Sequence, residues 1–282
     1  QTQLLQGGTV WVPEQSRTLK PVILTRGLST ELQMDPMLRT HEFKITPPSP
    51  EDPKALEDLL LEKFGQEANP YHLPLFVFQN LPPIFMDKKG CLTAVTRYEN
   101  EILDIAPGHG RHCIGLAGDL GTTTVVAYLF DLKNGRPLAV EAEMNPQVKY
   151  GDDVISRIGF CLKTPQGKSA LSAQIRDCID KLAAKACKTA NVSSRRIMDC
   201  VMVGNTAMHH LFLELDPVFL SQAPYMPVTK KAIDLKARDV GLSFAPEAWI
   251  HWLPVKAGFV GADTISVALA VRADKVTRPT LI

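Results

Sequence analysis

Two short apolar runs, Cys113–Ala117 and Val125–Phe130, flank a polar segment, Gly118–Thr124, near the middle of the chain. Apolar runs of this length are typical of buried strands, and glycine and hydroxyl residues between them indicate a tight turn. The pair Asn134–Gly135 predicts a second turn, and a third strand is expected over Pro137–Glu143. The pattern therefore predicts a three-stranded antiparallel meander.

Helical spacing follows the meander. A continuous apolar stripe predicts a helix over Lys168–Ala190, and Asp199–Val203 is typical of a short buried strand. A helix over Ala207–Leu213, a strand over Trp252–Val255 and a last helix ending near Val271 complete the pattern. Meander, helix, strand, helix, strand and helix is the order of elements in a ribonuclease-H-like subdomain, so we predict an α/β fold of that type.

The N-terminal third is less informative. Residues 1–20 carry little periodicity and are interpreted as a linker, and residues 21–108 as a small α/β middle domain without a catalytic constellation. Within it, Ser49–Asp52 predicts a helix start, because a capping hydroxyl is followed by proline and carboxylates. A hairpin is predicted between Leu92 and Ile105.

Charge and composition exclude several classes of protein. The net charge is +1, with 31 basic and 30 acidic residues and no basic block, so we expect no nucleic-acid partner. No apolar run approaches the ~20 residues that a membrane helix needs, so no membrane association is expected. The six cysteines form no CxxC pair, which argues against a zinc ribbon or an iron–sulfur cluster within this chain. Scattered cysteines fit buried thiols in a reducing compartment, and we predict a cytoplasmic protein.

The turn that follows the first meander strand has the chemistry of a phosphate site. Asp119 ends a strand and is able to hold a metal ion or its water shell, and Gly121 lets the backbone approach an anion closely. The hydroxyls of Thr122, Thr123 and Thr124 and the turn amides are potential donors to phosphate oxygens. The alternative is an ordinary hairpin whose threonines serve strand propensity.

Two further glycine-containing turns, Gly204–Thr206 and Gly258–Thr264, lead into predicted helices. Open sheets bind ligands at the ends of strands, and helix N-termini favour anions. We therefore expect both turns to meet the threonine turn at one end of the sheet. The alternative for each glycine is a packing role. His209–His210 is interpreted as a pair of core or capping residues, because neighbours on a helix do not face one metal ion together.

Five segments, taken together, resemble a known family. Asp119–Thr124 is similar to the first phosphate motif of the superfamily that contains acetate and sugar kinases, heat-shock chaperones and actin. Asn145–Ile158, Val203–Leu213, Ala223–Pro227 and Ala257–Thr264 narrow the match to the reductive activators of corrinoid proteins, a ferredoxin-fused branch of that superfamily.

The resemblance implies an activity. Such activators return an electron to corrinoid cobalt that has become inactive Co(II), and so restore Co(I) for methyl transfer. The electron passes through a two-iron ferredoxin domain, and ATP with Mg²⁺, bound and hydrolysed by an actin-like domain, drives the uphill transfer. The implied partners are a corrinoid protein of a methyltransferase system and an electron donor, and family precedent favours a homodimer.

The resemblance also implies roles for residues. Asp119 would contact the metal, and Asp119, Asp153 and Asp263 are the candidate catalytic carboxylates. Since Asp152 and Asp153 are neighbours, one is expected to cap the helix that begins near Val154 and one to face the cleft. The residues expected to bind the nucleotide are Gly121, Thr122, Thr123, Thr124, Gly204, Asn205, Thr206, Gly258 and Gly261.

Departures from the family pattern limit what this chain is expected to do alone. Residues 109–282 would form the first part of the actin-like ATPase domain, with the second phosphate motif following Ile282. The iron–sulfur cluster is expected only in an N-terminal domain that this sequence lacks. We therefore expect weak or no ATP binding, and no activity, from these 282 residues. A small-molecule kinase of the same superfamily and a non-catalytic interaction module are the alternative functions.

Overall fold

The computed structural model describes residues 35–65, 71–87, 90–98, 101–110 and 113–275, so the predicted linker at 1–20 lies outside the described residues. A three-stranded antiparallel sheet in the order β1–β2–β3 begins the described part. Its strands are β1 (Leu38–Lys44), β2 (Cys91–Arg97) and β3 (Glu101–Pro107). The predicted hairpin corresponds to β2 and β3 and is confirmed, whereas β1 was not predicted.

Two helices cover this sheet, α1 (Leu56–Leu61) and α2 (Leu75–Phe85). Leu60 of α1 and Leu81 of α2 share a core with Leu92 of the sheet. The predicted helix start at Ser49 is wrong: Ser49 and Asp52 pair across a tight turn, and α1 begins at Leu56. Pro53 explains the difference, because the residue before a proline is disfavoured in helical conformation.

A six-stranded sheet in the order β6–β5–β4–β7–β9–β8 forms the larger module. Strands β4, β5 and β6 pair in antiparallel fashion, which confirms the predicted meander. Strands β4, β7 and β9 run parallel, so their carboxyl ends lie at one edge of the sheet. The six strands are β4 (Ile114–Leu120), β5 (Thr124–Asp131), β6 (Arg136–Met144), β7 (Ile197–Gly204), β8 (Ile233–Lys236) and β9 (Trp249–Trp252).

Four helices belong to this sheet: α3 (Val154–Lys163), α4 (Gly167–Thr189), α5 (Thr206–Leu213) and α6 (Ala262–Ala270). The predicted stripe on α4 is confirmed, since all its members are buried against the sheet and neighbouring helices: Leu171, Ile175, Ile179, Leu182 and Ala186. Within the part of the chain that the structure describes, no helix has both the length and the apolar character needed to cross a bilayer.

The last predicted strand is displaced along the sequence. It was predicted at Trp252–Val255 but occupies Trp249–Trp252. Pro254 explains the end of the strand, because proline has no N–H to give to a ladder. Strand β8, which pairs with it in antiparallel fashion, was not predicted.

The cysteines behave as the sequence indicated. All six are free thiols; Cys113, Cys178, Cys187 and Cys200 are buried, and the other two are half-buried. Burial raises the pKa of Cys178 to about 11 and that of Cys187 to about 11. These thiols therefore stay protonated at neutral pH and contribute as small apolar side chains.

Polar contacts connect the two sheets. Lys236 of β8 lies 2.7 Å from the carboxylate of Glu101 in β3, and the Trp249 indole N–H donates to the same carboxylate at 2.7 Å. The Arg97 guanidinium stacks 4.6 Å from the Trp249 ring centre. Because these charged groups are largely buried and paired, they fix the small sheet against the outer strands of the large one.

Candidate functional site

Three successive carbonyl groups in the turn between β4 and β5 accept hydrogen bonds from donors on one side of the turn. The Gly121 carbonyl accepts from the side-chain amide of Asn145 at 2.8 Å, and the Thr123 carbonyl accepts from the Asn145 backbone N–H at 2.8 Å. The Thr122 carbonyl accepts from Arg157 Nη2 at 2.6 Å. In a planar trans peptide the N–H points opposite to the preceding carbonyl. The Thr122 and Thr123 amides therefore point away from these donors.

Asn145 and Arg157 are fully buried, and neither was predicted as a site residue. Asn145 caps the short 3₁₀ helix Pro146–Tyr150, where its Oδ1 accepts from the Gln147 N–H at 2.9 Å. Arg157 donates to the Gly151 carbonyl at 3.0 Å and to Gln147 Oε1 at 3.3 Å. Asn145, Gln147 and Arg157, which follow β6, thus form a buried polar cluster that we call the polar support behind the turn.

Position 121 requires a residue without a side chain, because other backbone atoms lie very close to where its Cβ would be. A Cβ at this position would lie 2.5 Å from the Thr124 carbonyl oxygen, which is backbone and has little freedom to move. The Thr122 hydroxyl accepts from the Asn205 side-chain amide at 2.9 Å. Asn205 also caps α5, because its Oδ1 accepts from the Met208 N–H at 2.9 Å. One asparagine thus joins the turn to the N-terminus of a helix.

The other predicted glycines bring the three turns together. A Cβ on Gly204 would lie 2.8 Å from the Leu120 carbonyl oxygen, and one on Gly261 would lie 2.6 Å from the Gly204 carbonyl oxygen. A Cβ on Gly258 would overlap the Tyr225 carbonyl. The packing role left open for these glycines is therefore present in the structure, and it places the turns at the carboxyl ends of β4, β7 and β9.

Asp119 and Asp263 bring two carboxylates near each other at the carboxyl ends of the parallel strands. Asp119, the penultimate residue of β4, has an exposed side chain. Surrounding protein atoms nevertheless remove part of its hydration and raise its pKa, and the nearby Asp263 carboxylate raises the pKa further. Asp263 is half-buried in the first turn of α6 and accepts from the Thr264 N–H at 2.7 Å. A cation bound beside Asp119 would offset this repulsion, so the two carboxylates together favour a positive ion.

Asp153 has a different environment from the other two candidate carboxylates. It is the N-cap of α3, as predicted for one member of the Asp152–Asp153 pair, and accepts from the Ser156 N–H at 2.8 Å and the Ser156 hydroxyl at 3.0 Å. These bonds lower its pKa. Both oxygens of the Asp153 carboxylate therefore accept hydrogen bonds at the N-terminus of α3.

We predict that Asp153→Asn in the full-length protein retains its catalytic rate and most of its thermal stability, because asparagine caps helices as well as aspartate does. Asp153→Ala should lower the melting temperature modestly, since it leaves the amide of Ser156 without its partner. Calorimetry and a rate assay measure the two effects. A large loss of rate in Asp153→Asn would instead assign the carboxylate to catalysis.

Thr206 and His210 have hydrogen-bond partners within the protein, whereas His209 Nε2 is buried without one among the described residues. The buried Thr206 hydroxyl donates to the Ala257 carbonyl at 2.6 Å. His210 Nδ1 lies 2.8 Å from the Thr206 carbonyl, and its Nε2 accepts from the Val228 N–H at 3.0 Å. His209 packs edge-on to Trp252, and burial, with a smaller effect of His210, lowers its pKa to about 4. Across the described ranges, no group of three or more His, Cys, Asp or Glu side chains is arranged to hold a metal.

A small pocket of about 200 Å³ adjoins the turn. Thr122 and Asn205 contribute polar groups to its lining, and the rest is mainly apolar. The apolar side chains lining it are Val154, Ile155, Ile158, Ala207, Leu220 and Phe259.

The meander, the parallel strands and the three converging turns define the class of protein: this is an actin-like ATPase fold of the ribonuclease-H type. Family models separate the chain at the same place as the two sheets. The model described as the RACo linker region matches residues 27–112, and the model described as the RACo middle region matches residues 114–276.

Two known proteins are similar to the chain. Corrinoid activation enzyme RamQ of Eubacterium limosum is 37% identical over 181 residues, which are 64% of this chain and 30% of RamQ. A solved structure of a reductive activator for corrinoid, iron-sulfur protein matches with a TM-score of 0.77 at 30% identity, over 89% of this chain and 41% of that one. The chain belongs to the family of reductive activators of corrinoid proteins. It spans less than half the length of either relative.

Proposed function

We propose that the full-length protein uses ATP to drive the reductive activation of a corrinoid protein in a methyltransferase system. One electron converts Co(II) to Co(I), and a one-electron donor supplies it through the iron–sulfur cluster of a ferredoxin domain outside this chain. Family membership and the names of the two relatives support the activation itself. The geometry of the β4–β5 turn supports the use of ATP.

The hydrogen-bonded carbonyls of the β4–β5 turn are the observation on which the ATP proposal mainly rests. Its three carbonyls are occupied from behind, so the Thr122 and Thr123 amides remain to donate to phosphate oxygens. Two helix N-termini, those of α5 and α6, adjoin the turn and favour the same negative charge. The turn, the helix ends and the hydroxyls therefore fit one end of a polyphosphate.

The carboxylates fit the accompanying Mg²⁺. Asp119 and Asp263 are oxygen ligands of the kind that Mg²⁺ prefers, and Mg²⁺ commonly keeps several waters when few carboxylates hold it. When bound, the ion neutralises developing charge on the phosphates. Asp119 would hold the ion or its water shell, and Asp263 would orient the attacking water.

The apolar pocket disfavours the small-molecule kinase. A sugar or hydroxy acid needs several convergent hydrogen-bonding groups, whereas the wall beside Thr122 consists mainly of aliphatic and aromatic side chains. An interaction module without catalysis remains the second alternative, and a rate measurement separates it from the activator.

The test is an anaerobic assay with the full-length protein, a corrinoid protein in the Co(II) state and a chemical reductant. ATP should produce the Co(I) absorption band, and omission of ATP or of the protein should abolish it. Phosphorylation of a metabolite without Co(I) formation would support the kinase. No Co(I) band and no ATP consumption would leave the interaction module.

A further inference from the structure

The buried charge behind the β4–β5 turn has no counter-ion among its hydrogen-bond partners. Arg157 is fully buried. Its guanidinium donates to the carbonyls of Gly151 and Thr122, to the amide oxygen of Gln147 and, at 3.5 Å, to the sulfur of Met208. All four acceptors are neutral.

A buried unpaired charge is costly for a fold. Neutral acceptors satisfy the N–H groups but do not cancel the charge. Burial accordingly lowers the pKa of Arg157, while the charges of Asp152 and Asp153 oppose that effect. Arg176 on α4 shows a different arrangement, because it donates to the Phe212 carbonyl at 2.8 Å and has Glu214 3.9 Å away.

The position of Arg157 connects its charge to the phosphate side of the turn. Its Nη2 contacts the Thr122 carbonyl at 2.6 Å. The same peptide unit presents the Thr123 N–H in the opposite direction. Donation to a carbonyl polarises the peptide and strengthens its N–H as a donor.

We propose that Arg157 is a positioning residue whose buried charge, acting through the Thr122–Thr123 peptide, provides the positive potential for the polyphosphate. This inference rests on the proposed binding of ATP. It predicts that the charge of Arg157 matters beyond its hydrogen bonds, and that its effect increases with the charge of the nucleotide.

The first experiment compares Arg157→Gln and Arg157→Lys with the full-length wild type, by calorimetric titration with ATP and AMP. Arg157→Gln should weaken ATP binding by about tenfold or more, with a smaller effect on AMP, and Arg157→Lys should restore part of the loss. Arg176→Gln is the matched control and should bind ATP as the wild type does. Equal losses for ATP and AMP in Arg157→Gln would overturn the proposal.

The second experiment leaves Arg157 in place. Gln147→Glu puts a carboxylate where Oε1 now lies 3.3 Å from Arg157 Nη1, so it gives the guanidinium a charged hydrogen-bond partner. Gln147→Met is its control, because both variants lose the donor to the Leu171 carbonyl and only one adds charge. Gln147→Glu should bind ATP at least about tenfold more weakly than Gln147→Met.

Equal ATP affinity in these two variants would refute the role of the charge, even if the Arg157 variants fail to fold. Absence of ATP binding by the wild type is a separate result, which would overturn the proposed function itself. The two failures are therefore distinguishable.

Discussion

In the full-length protein, Asp119→Asn is expected to lower the ATP-dependent rate of Co(I) formation by at least about 100-fold, since it removes the charge that we propose holds the metal. The fold should not be weakened. The raised pKa of Asp119 means that the folded state binds the proton more tightly than the unfolded chain does. Its contribution to stability is therefore present at low pH and lost as the pH rises through that pKa. At neutral pH the variant should be at least as stable as the wild type.

The matched control is Asp177→Asn, which makes the same change at an exposed carboxylate paired with Lys181 at 2.6 Å on α4. Its rate should equal that of the wild type. Steady-state rates and thermal unfolding of the wild type, Asp119→Asn and Asp177→Asn measure the effects on activity and on stability. Wild-type rates in Asp119→Asn would show that the carboxylate has no part in the reaction.

Gly261→Ala is expected to lower the same rate by about 100-fold, because it should displace Asp263, the proposed water-orienting carboxylate, and a displacement of about 1 Å has that effect. The added methyl would overlap the Asn205 Cα and lie 2.6 Å from the Gly204 carbonyl oxygen, and backbone atoms cannot turn aside. Gly261 and the first turn of α6, which carries Asp263, must then shift relative to the Gly204–Asn205 turn. Overpacking of this kind should also destabilise the fold by about 1–3 kcal/mol.

Gly159→Ala provides the comparison. Gly159 lies within α3, and a Cβ there would meet no atom within 4 Å. This variant should keep its rate and gain up to about 1 kcal/mol in stability, since alanine favours helix more than glycine does. If Gly261→Ala matched Gly159→Ala in both measurements, the close approach of the turns would have no functional importance.

The meander and the long helix α4 were predictable because their signals are local. Apolar runs of strand length, an Asn-Gly turn and a repeating apolar stripe each lie within a few residues of one another. The convergence of the three turns was predictable for a different reason, since the carboxyl ends of parallel strands share one edge of a sheet. The errors came from prolines: Pro53 delays α1, and Pro254 ends β9 early.

The polar support behind the turn was missed because its contacts are remote in sequence. Asn145 reaches back 24 residues to Gly121, and Arg157 reaches back 35 residues to Thr122. An asparagine before a proline is a recognisable cap signal, so the cap at Asn145 was within reach of sequence reasoning. Nothing local marks Arg157, because an arginine on a helix is ordinarily a surface residue.

The fixed carbonyls of the β4–β5 turn also determine where motion can occur. A loop held by hydrogen bonds at three successive peptides has little freedom to change shape, so binding of the proposed nucleotide there would lose little conformational entropy. The β4–β5 turn is therefore expected to keep its conformation. If the full-length protein hydrolyses ATP as proposed, the accompanying conformational change must therefore occur in other walls of the cleft.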